Sequence, residues 1–295
     1  MEKSKVYFTK EITPESLIKI YESLGVSLSG KVAVKISTGE PGGHNYLKPE
    51  LIKDLVNRVN GTIVECNTAY DGRRNTKEDH LEAAREHGFL DICDVDIMDG
   101  DGEIEIPVNG KHLDVDIVGK NLADYDSMIN LAHFKGHQMG GFGGVLKNQS
   151  IGIASRNGKA YIHSVGITKD PDDCWNHTSD QDGFLESMAE AAKGVADYFK
   201  KDNKSIIYIN VMNNLSIDCD CNSSPEDPCM QDIGVFASLD PVALDQACID
   251  KIWESSDVGR DHFIERVERQ NGRHILPYAE SIGLGSRKYD LVVLE

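Results

Sequence analysis

The chain has 295 residues, 40% of them hydrophobic and 27% charged, and 49 acidic against 31 basic groups give it a formal net charge of −18. That composition excludes a disordered or fibrous chain and suits one or two globular domains. No apolar run approaches the roughly 20 residues that cross a bilayer, residues 1–6 lack a signal-peptide core, and no basic stripe suited to phosphate backbones is present; neither membrane nor nucleic acid is expected as a partner, and the cytoplasm is the expected location.

In chain order, residues 31–37 read as a buried strand, followed by a loop with Gly39, Gly42 and Gly43 and a helix over 49–59. A strand over 62–67 leads through a polar loop to Thr76, which opens a helix with acids in its first turn that closes near Gly88. This alternation predicts an α/β fold with a mainly parallel central sheet and flanking helices. From 95 to 118 the pattern shortens, and Asn109-Gly110 predicts a β-hairpin excursion over 103–118.

Residues 127–137 read as extended and run into four glycines, Gly140, Gly141, Gly143 and Gly144. Residues 159–164 read as a further strand, and 184–201 as an amphipathic helix with Phe184, Met188, Ala191, Ala192, Val195 and Phe199 on one face. Strands follow over 205–211 and 232–238. Asp240 and Pro241 then open a helix as N-cap and first residue, a last helix covers 259–270, and a strand ends the chain at 289–294. One α/β domain over 1–295 is the simplest organisation, two closely packed lobes the alternative.

Three stretches carry chemistry. In an extended 127–137 segment alternate side chains share a face, so His133, Lys135 and His137 point the same way, and Lys147 with Asn148 returns a cation and an amide to that neighbourhood. Two imidazoles and two ammonium groups suit an anion or a metal. Seven cysteines in a reducing compartment read as thiols or ligands, and Cys219, Cys221 and Cys229 cluster in one loop between two predicted strands. Their C-x-C-x7-C spacing offers three soft ligands for iron, zinc or an iron–sulfur cluster; a redox-active pair or plain free thiols are the competing readings.

The loops after the first two strands lie where open α/β sheets bind ligands. One carries His44 and Asn45 and has neither a dinucleotide fingerprint nor a P-loop; the other carries Arg73 and Arg74 beside a helix start, a place for a carboxylate or phosphate unless acids pair with them. His163 reads as a satisfied core histidine, and the acidic loop 169–182, with Cys174, Trp175 and His177, as a lid. No Gly-x-Ser-x-Gly elbow or His-Glu-x-x-His helix is present, which removes two hydrolase classes.

Over most of its length the chain resembles the uncharacterised iron–sulfur-centre protein family, the domain-of-unknown-function 362 superfamily. The resemblance rests on N-L-A-H-F-K-G-H and G-G-F-G-G-V-L-K-N within 130–148, on Cys219-Asp220-Cys221, on Asp232-Ile233-Gly234 continuing through 238–245, and on the ending 274–285. Many members carry an inserted ferredoxin module, expected here between 166 and 184; that interval holds only Cys174, so electron transfer through ferredoxin clusters does not carry over. What the resemblance implies is an α/β scaffold whose His-Lys-His segment, Lys147-Asn148 pair and Cys-Asp-Cys loop share one site.

The combined expectation is a metal- or iron–sulfur-binding protein, with oxidoreductase among the classes a redox metal would allow. Cys219, Cys221 and Cys229 hold the metal, His133, Lys135, His137 and Lys147 act on an anionic small molecule, and His44, Asn45, Arg73 and Asn148 bind it. The alternatives are a non-catalytic metal or cluster carrier or maturation factor whose acidic surface meets a basic protein partner, and a metal-free anion-binding protein.

Overall fold

The computed structural model describes residues 3–201 and 204–295. Its elements run β1 (Ser4–Thr9), α1 (Pro14–Ser23), β2 (Val32–Lys35), α2 (Pro49–Arg58), β3 (Gly61–Glu65), α3 (Lys77–Glu86), β4 (Val95–Ile97), β5 (Glu103–Pro107), β6 (Val115–Gly119), β7 (Ser127–His133), β8 (Lys135–His137), β9 (Gly141–Gly143) and α4 (Val145–Gln149). They continue with α5 (Arg156–His163), α6 (Gln181–Lys201), β10 (Ser205–Met212), β11 (Gly234–Ser238), α7 (Pro241–Glu254), α8 (Arg260–Arg269), α9 (Ile275–Ser281) and β12 (Tyr289–Val293).

Eight strands form one sheet in the order β12-β1-β11-β10-β7-β2-β3-β4. Every strand runs parallel to the rest except β11, which pairs antiparallel with β1 and β10. Central strands of such a sheet are covered on both faces, so they read as unbroken apolar runs. Val34, Ile129, Leu131 and Ile209 meet Leu17 and Ile20 of α1 and Ile52 and Leu55 of α2 on one face. On the other face Ala132, Tyr208 and Phe236 meet α4 and α6 to α9, while Ala33, Val64 and Met128 meet the β5–β6 hairpin and the end of α6. The α/β class and the mainly parallel sheet are as the sequence predicts.

Local signals held where their chemistry is complete. Thr76 accepts the Asp79 amide to start α3, and Asp240 accepts the Val242 and Ala243 amides to start α7; each such cap is worth about 1 kcal/mol. The hairpin forms with Glu103 opposite Gly119 and Pro107 opposite Val115, and Asn109 adopts the left-handed conformation. Its connection spans 108–114 instead of a two-residue turn, because the Glu190 carboxylate gathers the Lys111, His112 and Leu113 amides.

The predicted strand over 159–164 is instead part of helix α5, capped by Ser155 accepting the Gly158 amide. Eight residues hold too few periods to separate helix from strand by pattern. The helix places Lys159 and His163 one turn apart on a single face. Elements β1 and α1 lie before residue 31, where none is predicted, although Thr13 and Ser16 form a capping box with Pro14 between them. Strand β4, the five-residue α4 and α9 are likewise beyond the predicted set, so the helix over 259–270 is not the last.

One core group sits uneasily. Asp116 of β6 is buried, its carboxyl oxygens lack a hydrogen-bond partner, and burial pushes its pKa up to about 8. The unfolded value is about 4, so the group's contribution to stability is complete below that pH and is lost as the pH climbs towards the folded value. Asp116→Asn removes this dependence. The variant is expected to lose less urea stability than wild type between about pH 5 and pH 8; parallel midpoints over that range would mean the carboxyl is not protonated in the fold.

Candidate functional site

Strands β2, β3, β7 and β10 end on the same edge of the sheet, and the segments that follow them wall a cleft of about 670 Å³. A second depression of about 340 Å³, by α8 and α9, is lined by none of the sequence-predicted site residues. Ligands of open parallel sheets collect at carboxyl edges of this kind. Six cationic side chains line the cleft, Lys35, Arg73, Arg74, Lys135, Lys147 and Lys159, against four acidic ones, Glu40, Glu65, Asp71 and Asp220. The cleft is therefore locally positive in a chain of net charge −18.

The extended segment places His133, Lys135 and His137 on the side that faces the 213–233 connection. His133 Nδ1 meets Asp220 Oδ1 at 2.9 Å and its Nε2 meets the Asn213 carbonyl at 2.6 Å; Lys135 Nζ lies 2.9 Å from Asp220 Oδ2. Burial would raise the Asp220 carboxyl, but His133 and Lys135 outweigh it and hold it well below the usual carboxylate range. Gly136 is required between Lys135 and His137, since a Cβ there would lie 2.4 Å from the Ile217 carbonyl, and its amide donates to the Ser216 carbonyl. His133 does not line the cleft; it holds Asp220.

His137 does line the cleft. Its Nδ1 accepts the Met139 and Gly140 amides at 3.2 and 2.8 Å, so the neutral ring carries its proton on Nε2. Burial, and then Lys147, His163, Lys135 and Arg266, keep the ring well below the ordinary histidine range and hence uncharged. A neutral imidazole fixed in one tautomer serves as a hydrogen-bond donor to a developing oxyanion.

Deeper in, Glu65 at the end of β3 collects Lys35 Nζ at 2.9 Å, the Thr38 amide at 2.7 Å and Arg74 Nη1 at 3.6 Å. Burial raises its carboxyl, but Lys35, His80 and Arg74 bring it down to about 2. Arg74 also binds Glu40 at 2.8 Å and the Tyr70 hydroxyl at 3.0 Å. Asn148 accepts from Lys35 Nζ and donates to the Lys35 carbonyl and Asn130, so its amide is spent on positioning Lys35.

Lys147, one turn into α4, makes no ion pair or hydrogen bond among the described residues. Burial, helped by Lys135 and Lys35, lowers its amine to about 7. Asp245 anchors the helix that carries it by accepting the Val145 and Leu146 amides, and Gly144 is needed there because a Cβ would come within 2.2 Å of the same carboxylate.

Cys219 and Cys221 flank Asp220, and their sulfurs are joined as a disulfide. With His137 they form a group whose candidate ligand atoms all lie within 4.8 Å of one another, so a His/Cys set that could hold a metal is present. Cys229, expected as a third ligand, is outside that group; its thiol is directed at the Leu215 carbonyl. In the reduced state two thiolates and an imidazole fit a thiophilic ion such as zinc or iron. His137 could join them through Nε2 only by giving up the tautomer its backbone contacts impose.

Three other expectations move. His44 is exposed and faces Asp227 at 3.2 Å, and Asn45 donates to the Glu226 carbonyl at 3.0 Å; both brace the cysteine loop and neither lines the cleft. Arg73 reaches the rim but is held at the surface by a bidentate pair with Glu86, and Arg74 is the arginine buried in the wall. Lys159 and His163 are cleft residues, which the strand reading concealed. Lys35 and Glu65 had a readable signal, a charge closing each of two otherwise apolar strands that pair as neighbours.

Fold and site define a mainly parallel α/β protein with a cation-rich ligand cleft at the carboxyl edge of its sheet. The chain belongs to the family described as domain of unknown function DUF362, whose profile matches residues 32–250. No curated protein matches it. Among solved structures it is similar to the lactate racemase apoprotein from Thermoanaerobacterium thermosaccharolyticum, at 15% identity and TM-score 0.47, over 83% of this chain and 56% of that one. It is also similar to a Thermotoga maritima protein of known crystal structure, at 13% identity and TM-score 0.40, over 87% and 56%. The chain thus spans little more than half the length of either neighbour.

The Glu65 carboxyl, depressed below its unfolded value of about 4, contributes stability that is complete above that pH and is lost as the pH falls towards its folded value. Glu65→Gln strips Lys35 and Arg74 of a shared buried counter-charge and should cost about 3–5 kcal/mol at neutral pH, read from urea unfolding, with the deficit narrowing on acidification. An unchanged deficit down to about pH 3 would show that the carboxylate is not what the cations need.

Proposed function

We propose that this protein binds a small anionic molecule, bearing a carboxylate or phosphate, in the carboxyl-edge cleft, beside a thiophilic metal held by Cys219 and Cys221 in their reduced state. The observation that carries the reading is the pair of cleft lysines without an acidic partner. Among the described residues Lys147 has no partner, and Lys159 donates only to the Ala154 and Cys66 carbonyls. Lys159 is buried and Lys147 half-buried, and cations so withdrawn from solvent are ordinarily paired, so these two leave positive charge in the cleft for a ligand to answer. Lys35 and Lys135, each answered by a carboxylate, shape the field without being free to pair again.

A bound metal would supply Lewis acidity or redox chemistry at the cysteine end. The chain's own residues provide the rest. Lys147 and Lys159 attract and orient the anion, and His137 donates from Nε2 to an oxygen on which negative charge develops. Asp220 keeps the cysteine loop in place. The second reading is a metal-free anion site, favoured by the S–S bond between Cys219 and Cys221.

Metal content of anaerobically reduced protein loaded with zinc or ferrous iron separates the two. Cys221→Ser should lose most of the bound metal and Cys248→Ser, whose thiol is buried against Asn210 in α7, should keep it; equal content in both would overturn the metal assignment. Titration calorimetry with oxalate and with inorganic phosphate tests the anion. Lys147→Ala is expected to weaken one of them about tenfold, or about 1.4 kcal/mol, whereas equal binding by wild type and variant would overturn the anion reading.

A further inference from the structure

The lysines of the cleft differ in what their amines do. Lys35 is held by Glu65, Lys135 by Asp220, and Lys159 directs its hydrogens at two backbone carbonyls. Among the described residues, the Lys147 amine is held by nothing. Its chain passes beside Gly143, where a Cβ would meet Lys147 Cδ at 3.3 Å and Lys135 Cε at 3.8 Å, so the two lysines run together over a residue with no side chain. An amine becomes a nucleophile when its proton is removed, and crowding it with other cations in a poorly solvated pocket achieves this. Lys135, Lys35 and Lys159 bring positive charge to bear on Lys147, opposed in part by Asp220.

We propose that Lys147 binds its ligand covalently: the amine condenses with the carbonyl carbon of a small molecule that also carries an anionic group, an oxo acid being the simplest case, to form an imine. This rests on the anion reading above and names the substrate class. Nζ attacks the carbonyl carbon, a C–N bond forms as the carbonyl double bond opens, and one of the two amine protons passes to the oxygen. The nitrogen then loses its remaining proton as the hydroxyl group leaves as water, so amine and carbonyl give imine and water with no change in oxidation state. His137 is suited to the oxygen, because its one ring proton is confined to Nε2 by the Met139 and Gly140 amides on the other nitrogen. Lys159, without an acidic partner, is suited to the anionic group.

Reductive trapping tests the proposal on the whole protein. Incubation with pyruvate and sodium borohydride near neutral pH should give one adduct per chain, heavier by pyruvate less one oxygen, and peptide mass spectrometry should place it on Lys147. Acetone, which has the carbonyl but no charge, should label at least tenfold less. Lys147→Arg keeps the positive charge and cannot form a stable imine, so it should lose the adduct, with Lys147→Met as a second variant should the arginine perturb folding. An adduct spread over surface lysines, or one that survives both substitutions, would overturn the proposal. No adduct with pyruvate or 2-oxoglutarate while oxalate still binds would overturn the imine and leave the anion site standing, whereas loss of both would overturn the two readings together.

Discussion

The site depends on one buried carboxylate. Asp220 is 5% exposed, and its side chain receives His133 from the end of β7 and Lys135 from the start of β8, while its backbone carbonyl accepts the Glu40 amide at 2.7 Å. Burying such a charge costs several kcal/mol unless its lone pairs are answered, and here two basic side chains answer it. The consequence is geometric. Cys219 and Cys221 flank the residue that is pinned, so the loop cannot shift without breaking a buried ion pair, and both sulfurs are delivered to His137.

The same accounting sorts the polar residues of the cleft. His133, Asn148, Lys35 and Arg74 are all engaged by neighbouring protein groups, and they hold the architecture. His137, Lys147 and the cysteine pair are the groups with chemistry left over: one ring N–H, one unpaired amine and two sulfurs. Their environments diverge in a useful way, since burial and crowding keep the imidazole neutral and lower the amine to about 7, while the carboxylates beneath them stay ionised. Acid and base roles are commonly set by such divergence.

Charge works on two scales. The net charge of −18 repels anions at a distance, but salt screens exposed charges beyond about 10 Å, whereas the cleft cations act at contact range in a poorly solvated space. The positive potential therefore resides in the cleft lining and not in the protein's overall field.

Much of the fold was legible from pattern, because apolar runs and caps are local. Strands β2, β3, β7, β10 and β11 announce themselves by length and composition, and α3 and α7 by Thr76 and Asp240. The short α5, with two periods at most, did not. For the site, the alternation of an extended chain determined that His133, Lys135 and His137 share a face, and composition alone placed a thiol pair in one loop. The division of labour among them was not local. That His133 braces Asp220 while His137 lines the cleft, that Cys229 turns away, that Arg74 and not Arg73 is buried, and that Lys147 has no acidic partner among the described residues all depend on which groups each meets. The carboxylates among them arrive from elsewhere in the chain, Asp220 from the β10–β11 connection 87 residues beyond His133 and Glu65 from the strand beside Lys35. Sequence determined which groups were available and which way they faced; tertiary packing decided which were satisfied, because a hydrogen bond or ion pair needs its second partner within about 3 Å.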